Sequence, residues 1–158
     1  MTLKGKPVSE SKVEMTQLVL PEHTNAMGTI FGGTIMAWID TAAAICAFRH
    51  CRCLCVTASM DALSFVEPVK LGHIVILRAS INYTGKTSME IGVKVICEDP
   101  LTGKTAHTSS AYLTFVAVDG KGGTLPVVPV VPETPEEKRR FAAAQKRRDQ
   151  RLQNRAAP

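Results

Sequence analysis

The sequence predicts an α+β protein in which an antiparallel sheet wraps around one central helix. The first observation is the segment from Thr34 to His50, TIMAWIDTAAAICAFRH, which has no Gly or Pro and is apolar nearly all round. Such a segment forms a helix that other structure covers on most sides. The second observation is that later apolar residues alternate with polar ones between short turns, which is typical of antiparallel strands.

One strand precedes the helix and four follow it. The first runs from Lys12 to Leu20 and is closed by Pro21, because proline cannot continue a strand's hydrogen-bond ladder. In the second strand, the alternation predicts that Leu54, Val56 and Ala62 face the core while Thr57 faces outward. The four later strands are expected at Leu54 to Phe65, His73 to Tyr83, Met89 to Cys97 and Thr105 to Val118. In the third of these strands the alternation places Glu90 outward. The residues placed inward on the last three strands are Val75, Leu77, Ala79, Ile81 and Tyr83, then Met89, Ile91, Val93, Val95 and Cys97, then Ala111, Leu113, Phe115 and Ala117.

We expect residues 11–118 to form one domain, and residues 119–158 to form an extended proline-rich arm followed by a charged C-terminal helix. The arm is LPVVPVVPET, and Thr134, Pro135 and Glu137 make a capping box with proline at the first helical position. We expect this helix to be mostly solvated. Its run Lys146-Arg147-Arg148 is interpreted as a surface face rather than a nucleic-acid or membrane contact.

Composition narrows the class of protein. The 158 residues are 45% hydrophobic, which is enough for one domain with a substantial core. The net charge of +5 reflects basic residues concentrated at the C-terminus, and only 5% of residues are aromatic, whereas single-strand binders interleave the two. We expect no nucleic-acid partner, and an anionic small molecule fits the charge. No signal-peptide core or membrane-spanning stretch is present in the sequence, so we expect a soluble, cytoplasmic protein.

The five cysteines include three at a spacing of two residues, Cys51, Cys53 and Cys55, which would place their side chains on one face of a strand. Zinc sites usually combine a C-x2-4-C pair with a second pair or with histidines, and the sequence has no such partner pair. We therefore interpret these residues as reduced thiols and expect no metal.

Asp40 is the one acid in the apolar helix. Burying an ionised carboxylate alone costs several kcal/mol, so Asp40 must find donors, lie at a wet interface or do chemistry. A structural acid and a reacting acid are both compatible with the helix alone. The preceding Gly32-Gly33 favours chemistry, because a helix that starts there directs free N–H groups at a ligand and can polarise a carbonyl about two turns from Asp40.

Several catalytic motifs are excluded. The sequence has no G-x-S-x-G elbow, and its four histidines lack H-x-x-x-H spacing. Two Gly-Lys-Thr strings, at Gly85 and Gly103, resemble the end of a phosphate-binding loop but lack its first glycine and lie in hairpin turns. We interpret the string at Gly103 as a plain turn. At Gly85, the side chains of Lys86, Thr87 and Ser88 can still donate to a phosphate.

Six motifs, each weak alone, are specific together in this order and spacing. They are Pro21-x-x-x-Asn25-x-x-Gly28-x-x-Phe31-Gly32-Gly33, Asp40 with its alanine run, Arg49-His50-Cys51, VTASMDALSF at Val56 to Phe65, GKTSMEI at Gly85 to Ile91, and LPVVPVVPET before the final helix. Through these motifs, which extend over nearly the whole chain, the sequence resembles the acyl-CoA thioesterases of the hotdog fold. Within that fold it resembles the broad-range acyl-CoA hydrolases, which include bacterial and brain-type enzymes.

The resemblance implies a sheet wrapped around the helix, dimers that pair their sheets edge to edge, and a trimer of such dimers. It implies an acyl-CoA substrate and no cofactor, since coenzyme A is part of substrate and product. It matches Asn25 and Asp40 to the catalytic positions, contributed by facing protomers. His23 departs from the family, whose members often carry an acid there. The substrate-binding positions assigned by resemblance and charge are Gly32, Arg49, Ser64, Lys86, Thr87 and Ser88.

The chemistry of a thioester agrees with these roles. The backbone amide near Gly33 can stabilise the developing oxyanion. Asp40 can act as general base on water or as a nucleophile that forms an anhydride, and Asn25 can orient the water or the carbonyl. By itself, an Asn in a loop is equally explained by its turn-forming habit. Two other functions stay open, a non-catalytic acyl-CoA-binding sensor that uses the same cleft and a nucleic-acid contact through the C-terminal helix.

Overall fold

A computed structural model describes residues 2–61 and 63–157, which form a five-stranded antiparallel sheet, a two-stranded pair and two helices. The helices are α1, Gly32–Cys51, and α2, Pro135–Ala156. The five strands of the sheet are β2 Val13–Leu18, β3 Leu54–Met60, β4 Ile74–Thr84, β5 Ser88–Glu98 and β6 Thr105–Val118. The pair joins β1, Lys6–Pro7, in parallel with β7, Val130–Val131.

The strand order in the sheet is β2-β4-β5-β6-β3, so β2 and β3 form its two edges. Helix α1 packs against all five strands of this sheet. The apolar residues predicted to face inward on β4, β5 and β6 do so, and they form the core with one side of α1. The exception is Tyr83, which follows a register shift after Ile81, is half-buried, and packs against Phe141 of α2 instead. The fully buried members of this core on α1 are Ile35, Ile39, Ala42, Ala43, Cys46 and Ala47. The predicted hotdog arrangement, an antiparallel sheet around a central helix, is therefore confirmed.

Helix α1 is two residues longer at its start and one residue longer at its end than predicted. It ends where Arg52 adopts a left-handed conformation, φ 53°, and donates its backbone N–H to the carbonyl of Phe48 at 2.8 Å. The chain does not cover the helix on every side, since the side chains of Met36 and Phe48 are 44% and 42% exposed. No helix in the described part of the chain is long and apolar enough to cross a membrane.

The predicted facing of β3 is wrong. Leu54 and Val56 are 59% and 50% exposed, whereas Cys55 is buried. Thr57 pairs with the buried Phe115 of β6 and shares the helix-facing side of the strand with Cys55. The strand also ends earlier than predicted, at Met60, and the expected inward residue Ala62 lies outside the described residues. β3 therefore exposes apolar side chains on an edge strand, where its ladder also has one open side.

The predicted capping box at the start of α2 is confirmed. The Thr134 hydroxyl accepts from the backbone N–H of Glu137 at 3.1 Å, and Glu137 accepts in return from the N–H of Thr134 at 3.1 Å. Hydrogen bonds from the backbone N–H groups of Glu133 and Thr134 lower the pKa of the Glu137 carboxyl below its usual value. Most of α2 is exposed, as predicted.

One face of α2 is not a solvated surface, which corrects the interpretation of the run at Lys146. Arg147 donates to both carboxylate oxygens of Glu90, at 2.8 and 3.0 Å, and stacks over the ring of Tyr112 at 3.7 Å from its centroid. Glu90 is only 2% exposed, although the alternation of β5 placed it outward. The outer face of the sheet is covered here by α2, so that an outward-facing acid is buried and paired.

A hydrogen bond holds the C-terminal arm against the end of α1. The buried His50 donates from Nε2 to the carbonyl of Val128 at 2.8 Å, and its Nδ1 lies 3.2 Å from the Ser11 hydroxyl. Burial lowers the pKa of His50, in accord with a neutral ring whose two nitrogens are both occupied. The ammonium of Lys6 adds contacts to the carbonyls of Arg49 and His50 at 3.0 and 2.8 Å.

The buried ion pair between α2 and the sheet gives a stability prediction. Arg147→Ala should lower the free energy of unfolding by about 3 kcal/mol, because it leaves the Glu90 carboxylate buried with only the longer contact to Arg151, 3.6 Å, as charge compensation. The matched control is Arg139→Ala on the same helix, whose pair with Glu136 is exposed and should cost at most about 1 kcal/mol. Urea unfolding at one fixed protein concentration measures both, and equal losses would contradict the prediction.

Candidate active site

The centre of the candidate site is the contact between Asp40 on α1 and Thr57 on β3. The Thr57 hydroxyl donates to Asp40 Oδ1 at 2.7 Å. Asp40 is half-buried, at the boundary between the core-facing and open sides of α1. Among the described residues, its second oxygen, Oδ2, has no hydrogen-bond partner. One carboxylate oxygen is thus held in place while the other remains available to a water or a substrate.

The edge strand β3 has a β-bulge directly after Thr57. The pairing of β3 with β6 shifts register between Thr57 and Ser59, so one extra residue is accommodated at Ala58. Bulges of this kind bend an edge strand and redirect neighbouring side chains. The bulge therefore lies directly beside Thr57, whose hydroxyl donates to Asp40 of α1.

Asn25 is held within its own loop. Its Oδ1 accepts the backbone N–H groups of Met27 at 2.9 Å and Thr29 at 3.3 Å, and its Nδ2 donates to the Thr29 hydroxyl at 3.0 Å. The loop closes through Gly28, φ 75°, whose N–H donates to the Asn25 carbonyl at 3.1 Å. No hydrogen bond in the described residues joins Asn25 to Asp40 of the same chain. This is the local turn that the amide side chain of Asn favours.

The start of α1 presents two backbone N–H groups. The N-terminal capping residue is Phe31, which offers no side-chain cap, and the amides of Gly32 and Gly33 donate to no described residue. Such amides carry the positive end of the helix dipole. A methyl group on Gly33 would meet the Phe31 ring at 2.7 Å, whereas one on Gly32 would meet nothing within 4 Å. The close approach of the Phe31 ring thus depends on a glycine at position 33.

The side chain of His23, two residues before Asn25, is also engaged by contacts within the chain. Its Nδ1 accepts the backbone N–H of Leu20 at 3.0 Å, and its ring packs edge-on against Trp38 of α1 with centroids 5.0 Å apart. Its backbone carbonyl accepts the N–H of Phe31 at 2.8 Å. His23 therefore connects the loop of Asn25 to the first turns of α1.

The turn between β4 and β5 borders a groove on the outer side of the sheet. Ser88 lines this groove together with three arginines of α2, Arg148, Arg151 and Arg155. Arg151 is paired with Asp61 at 3.2 Å, whereas Arg148 and Arg155 form no ion pair with a described carboxylate. Lys86 is exposed in the same turn, and Thr87 is half-buried. The groove can attract an anion, and its arginines on α2 were missed because the C-terminal helix was expected to be mostly solvated.

The structure does not bring the other three predicted binding residues to this groove, and the first of them, Gly32, lies at the start of α1. Arg49 lies at the C-terminal end of α1, where its Nη1 donates to the backbone carbonyl of Lys12 at 3.0 Å. Ser64 lies exposed in the loop between β3 and β4. Within one chain, therefore, the predicted residues fall into five groups, centred on Asp40, on Asn25 with Gly32 and Gly33, on Lys86 to Ser88, on Arg49 at the end of α1, and on Ser64 in the β3–β4 loop.

Thr57 is the site residue that sequence reasoning missed. The alternation of β3 indicated that Thr57 faced outward, because Leu54 and Val56 are apolar and were given the core side. Only the pairing of β3 with β6 and its approach to α1 reveal the opposite facing.

Comparison with known proteins identifies the family. Residues 27–104 match the model of the thioesterase superfamily. A Bacillus subtilis protein named an uncharacterized acyl-CoA thioester hydrolase is 44% identical over 128 residues, which cover 81% of this chain and 74% of that protein. The chain belongs to the thioesterase superfamily.

Solved structures of thioesterases superpose on nearly the whole chain. A hexameric acyl-CoA thioesterase crystallised without ligand is 40% identical, with a TM-score of 0.94 over 99% of this chain and 100% of the other. An acyl-CoA hydrolase from Staphylococcus aureus, solved with butyryl coenzyme A, coenzyme A and coenzyme A disulfide, is also 40% identical. Its TM-score is 0.89 over 96% of this chain and 92% of the other.

The same Staphylococcus aureus hydrolase has been solved as three alanine variants, with TM-scores of 0.91, 0.90 and 0.88 to this chain. An Asn, an Asp and a Thr are replaced in them, at positions that lie 15 and 17 residues apart in sequence order. Asn25, Asp40 and Thr57 of this thioesterase are separated by the same 15 and 17 residues.

The loop contacts of Asn25 give a second stability prediction. Asn25→Ala should lower the free energy of unfolding by about 1 kcal/mol, because the N–H groups of Met27 and Thr29 lose their acceptor in an exposed loop. Asn25→Asp is the matched control, since it keeps an oxygen in the same place and should lose less. Urea unfolding of both variants measures the difference, and an equal loss would mean that the side-chain oxygen does not stabilise the loop.

Proposed function

We propose that this protein hydrolyses the thioester of fatty acyl-CoA to a free fatty acid and coenzyme A. The observation that carries the proposal is the carboxylate of Asp40, the one acid of α1, which Thr57 holds at Oδ1 at 2.7 Å while Oδ2 has no partner among the described residues. The names of the related enzymes, acyl-CoA thioester hydrolases, supply the substrate class. The separations of Asn25, Asp40 and Thr57 support the choice of residues, since the same separations were targeted in the Staphylococcus enzyme.

Asp40 acts on the water that attacks the thioester carbonyl. As a general base, its Oδ2 takes a proton from the water while the Thr57 hydroxyl keeps the carboxylate oriented. As a nucleophile, the same oxygen would attack the carbonyl and form an anhydride that water then hydrolyses. Both routes need one free carboxylate oxygen. In both, the leaving group is the coenzyme A thiolate, which needs less help from an acid than an amine does.

The start of α1 polarises the carbonyl. The unbonded amides at Gly32 and Gly33, at the positive end of the helix, are suitable donors to the oxyanion that develops during attack. The seven residues from Gly33 to Asp40 rise about 10 Å along the helix axis, whereas the base, the water and the carbonyl must each lie within about 3 Å of the next. This separation favours a carbonyl polarised by one protomer and a water activated by another.

Two protomers therefore complete each site in this proposal, with Asn25 of one facing Asp40 of the other. A single chain leaves Leu54 and Val56 of the edge strand β3 exposed, together with Met36 and Phe48 of α1. Such surfaces are typical of chains that associate, because an apolar edge strand otherwise pairs indiscriminately. The hexameric state of one related thioesterase supports a trimer of dimers.

The phosphates of coenzyme A bind, in this proposal, at the groove beside the β4–β5 turn. Ser88 and Thr87 supply hydroxyl donors, and Lys86 with the unpaired Arg148 and Arg155 supplies positive charge. Arg49 and Ser64 lie outside this groove in their own chain. They contribute to substrate binding only if a neighbouring protomer brings them to it.

The direct test of the proposed function is thiol release from short-chain and long-chain acyl-CoA. The wild-type protein should release free thiol, and Asp40→Asn should lower kcat by about two to four orders of magnitude, the range typical of losing a general base, without loss of fold. If acyl-CoA binds by calorimetry while no thiol is released by the wild-type protein, the molecule is a sensor and the proposal is wrong. Unchanged turnover in Asp40→Asn would remove Asp40 from the mechanism.

Thr57→Val serves as the graded comparison for that experiment. It preserves shape and removes only the donor to Asp40 Oδ1. Turnover should fall less than in Asp40→Asn, because the carboxylate is still present but is less well oriented.

Mixed oligomers test the shared site. Asn25→Ala and Asp40→Ala should each be inactive alone, while a dimer of one with the other gathers both lesions in one site and leaves the second site whole. With random equal mixing, half of the dimers are mixed and half of their sites are intact, so about a quarter of all sites should recover. Thiol release after co-refolding measures this. No recovery, with mixed dimers shown by mass spectrometry, would place both residues on one chain and refute the shared site.

A further inference from the structure

Three cysteine sulfurs converge where α1 ends and β3 begins. Cys51 is the last residue of α1, Cys53 follows the left-handed turn at Arg52, and Cys55 is on β3. Their Sγ atoms all lie within 4.8 Å of one another, and all three thiols are free. The sequence spacing suggested one face of a strand. In the fold, a helix end, a turn and a strand each contribute one sulfur to a common point.

A fourth sulfur adjoins this cluster. The thioether Sδ of Met89, a buried residue of β5, lies 3.8 Å from Cys51 Sγ. The neighbouring His50 cannot contribute a ligand, because both of its ring nitrogens are engaged with Ser11 and the carbonyl of Val128. The donor atoms at this point are therefore three thiols and one thioether, with no imidazole among them.

We propose that Cys51, Cys53 and Cys55 bind a monovalent copper ion, with the Met89 thioether as an additional soft ligand. Thiolate and thioether sulfurs are the ligands that Cu(I) prefers. Structural zinc sites instead require four strong thiolate or imidazole ligands, which this cluster does not supply. Three sulfurs bound at about 2.3 Å to one ion stand about 4 Å apart, so sulfurs within 4.8 Å need to move by less than about 1 Å.

The surroundings of the cluster leave a path for an ion to enter. Cys51 and Cys53 are half-exposed, which gives the ion a way in.

This site is separate from the proposed thioesterase centre. Cys51 follows Asp40 by 11 residues on the same helix, a rise of about 16 Å, and the cluster comes nearer to that centre only at Cys55, two residues before Thr57 on β3. The copper proposal therefore does not depend on thioester hydrolysis. Its failure and the failure of the proposed function can be told apart, since one is measured with the metal and the other with acyl-CoA.

The test is a competition for Cu(I) under anaerobic, reducing conditions. The reduced full-length protein is titrated against the coloured Cu(I) complex of bicinchoninate, and one copper per protomer should be withdrawn from the dye. Cys51→Ser, Cys53→Ser and Cys55→Ser should each weaken binding by more than about tenfold, while Met89→Leu should weaken it less. Cys97→Ser is the matched control and should leave binding unchanged, because Cys97 lies beside His73, at 3.2 Å, outside the cluster.

A measurement on the unaltered protein keeps the test independent of variant folding. X-ray absorption at the copper edge should give a first shell made only of sulfur. Copper retained by bicinchoninate, a nitrogen or oxygen shell, or a loss in Cys97→Ser equal to that in the cluster variants would overturn the proposal. Displacement of Cu(I) by equimolar Zn(II) would likewise overturn the assignment of the ion.

Discussion

The burial of one side of α1 against the sheet is the contact on which the rest of the structure depends. Six apolar residues of this helix are fully buried, and they leave no space for an ionised group on that side. Asp40 lies where this buried side meets the open side, and Thr57 of the edge strand reaches it there. The packing that stabilises the fold therefore also fixes the position of the reacting carboxylate.

Much of this fold follows from periodicity. The long strands β5 and β6 were predicted almost to their ends, because five and four inward apolar residues respectively alternate without interruption. The capping box at Thr134 was predicted from three residues, because its hydrogen bonds are local and need no tertiary context. The central helix was predicted for a similar reason, since a run of this length without Gly or Pro has few alternatives.

The errors arise where a second layer decides which face is buried. Apolar alternation identifies two faces of a strand but not which layers cover them, so Thr57 and Glu90 were both assigned outward. Thr57 faces α1 because β3 pairs with β6 in a register that a single strand cannot reveal. Glu90 is buried because Arg147, fifty-seven residues later, brings α2 over it. The thiol cluster has the same origin, since its sulfurs meet only after α1 stops at Arg52.

The role of Asn25 cannot be inferred from the contacts that it makes within one chain. Within one chain the amide oxygen and one of the two side-chain N–H groups of Asn25 bond to its own loop, which is what a turn residue would do. A side chain held this firmly is also preorganised, and preorganised dipoles contribute most to catalysis because they need no rearrangement during the reaction. The exposed edge of β3 and the open side of α1 remain apolar. If a second protomer covers them, then the surface that completes the core also brings a rigid amide to Asp40, and assembly becomes a step in building the site.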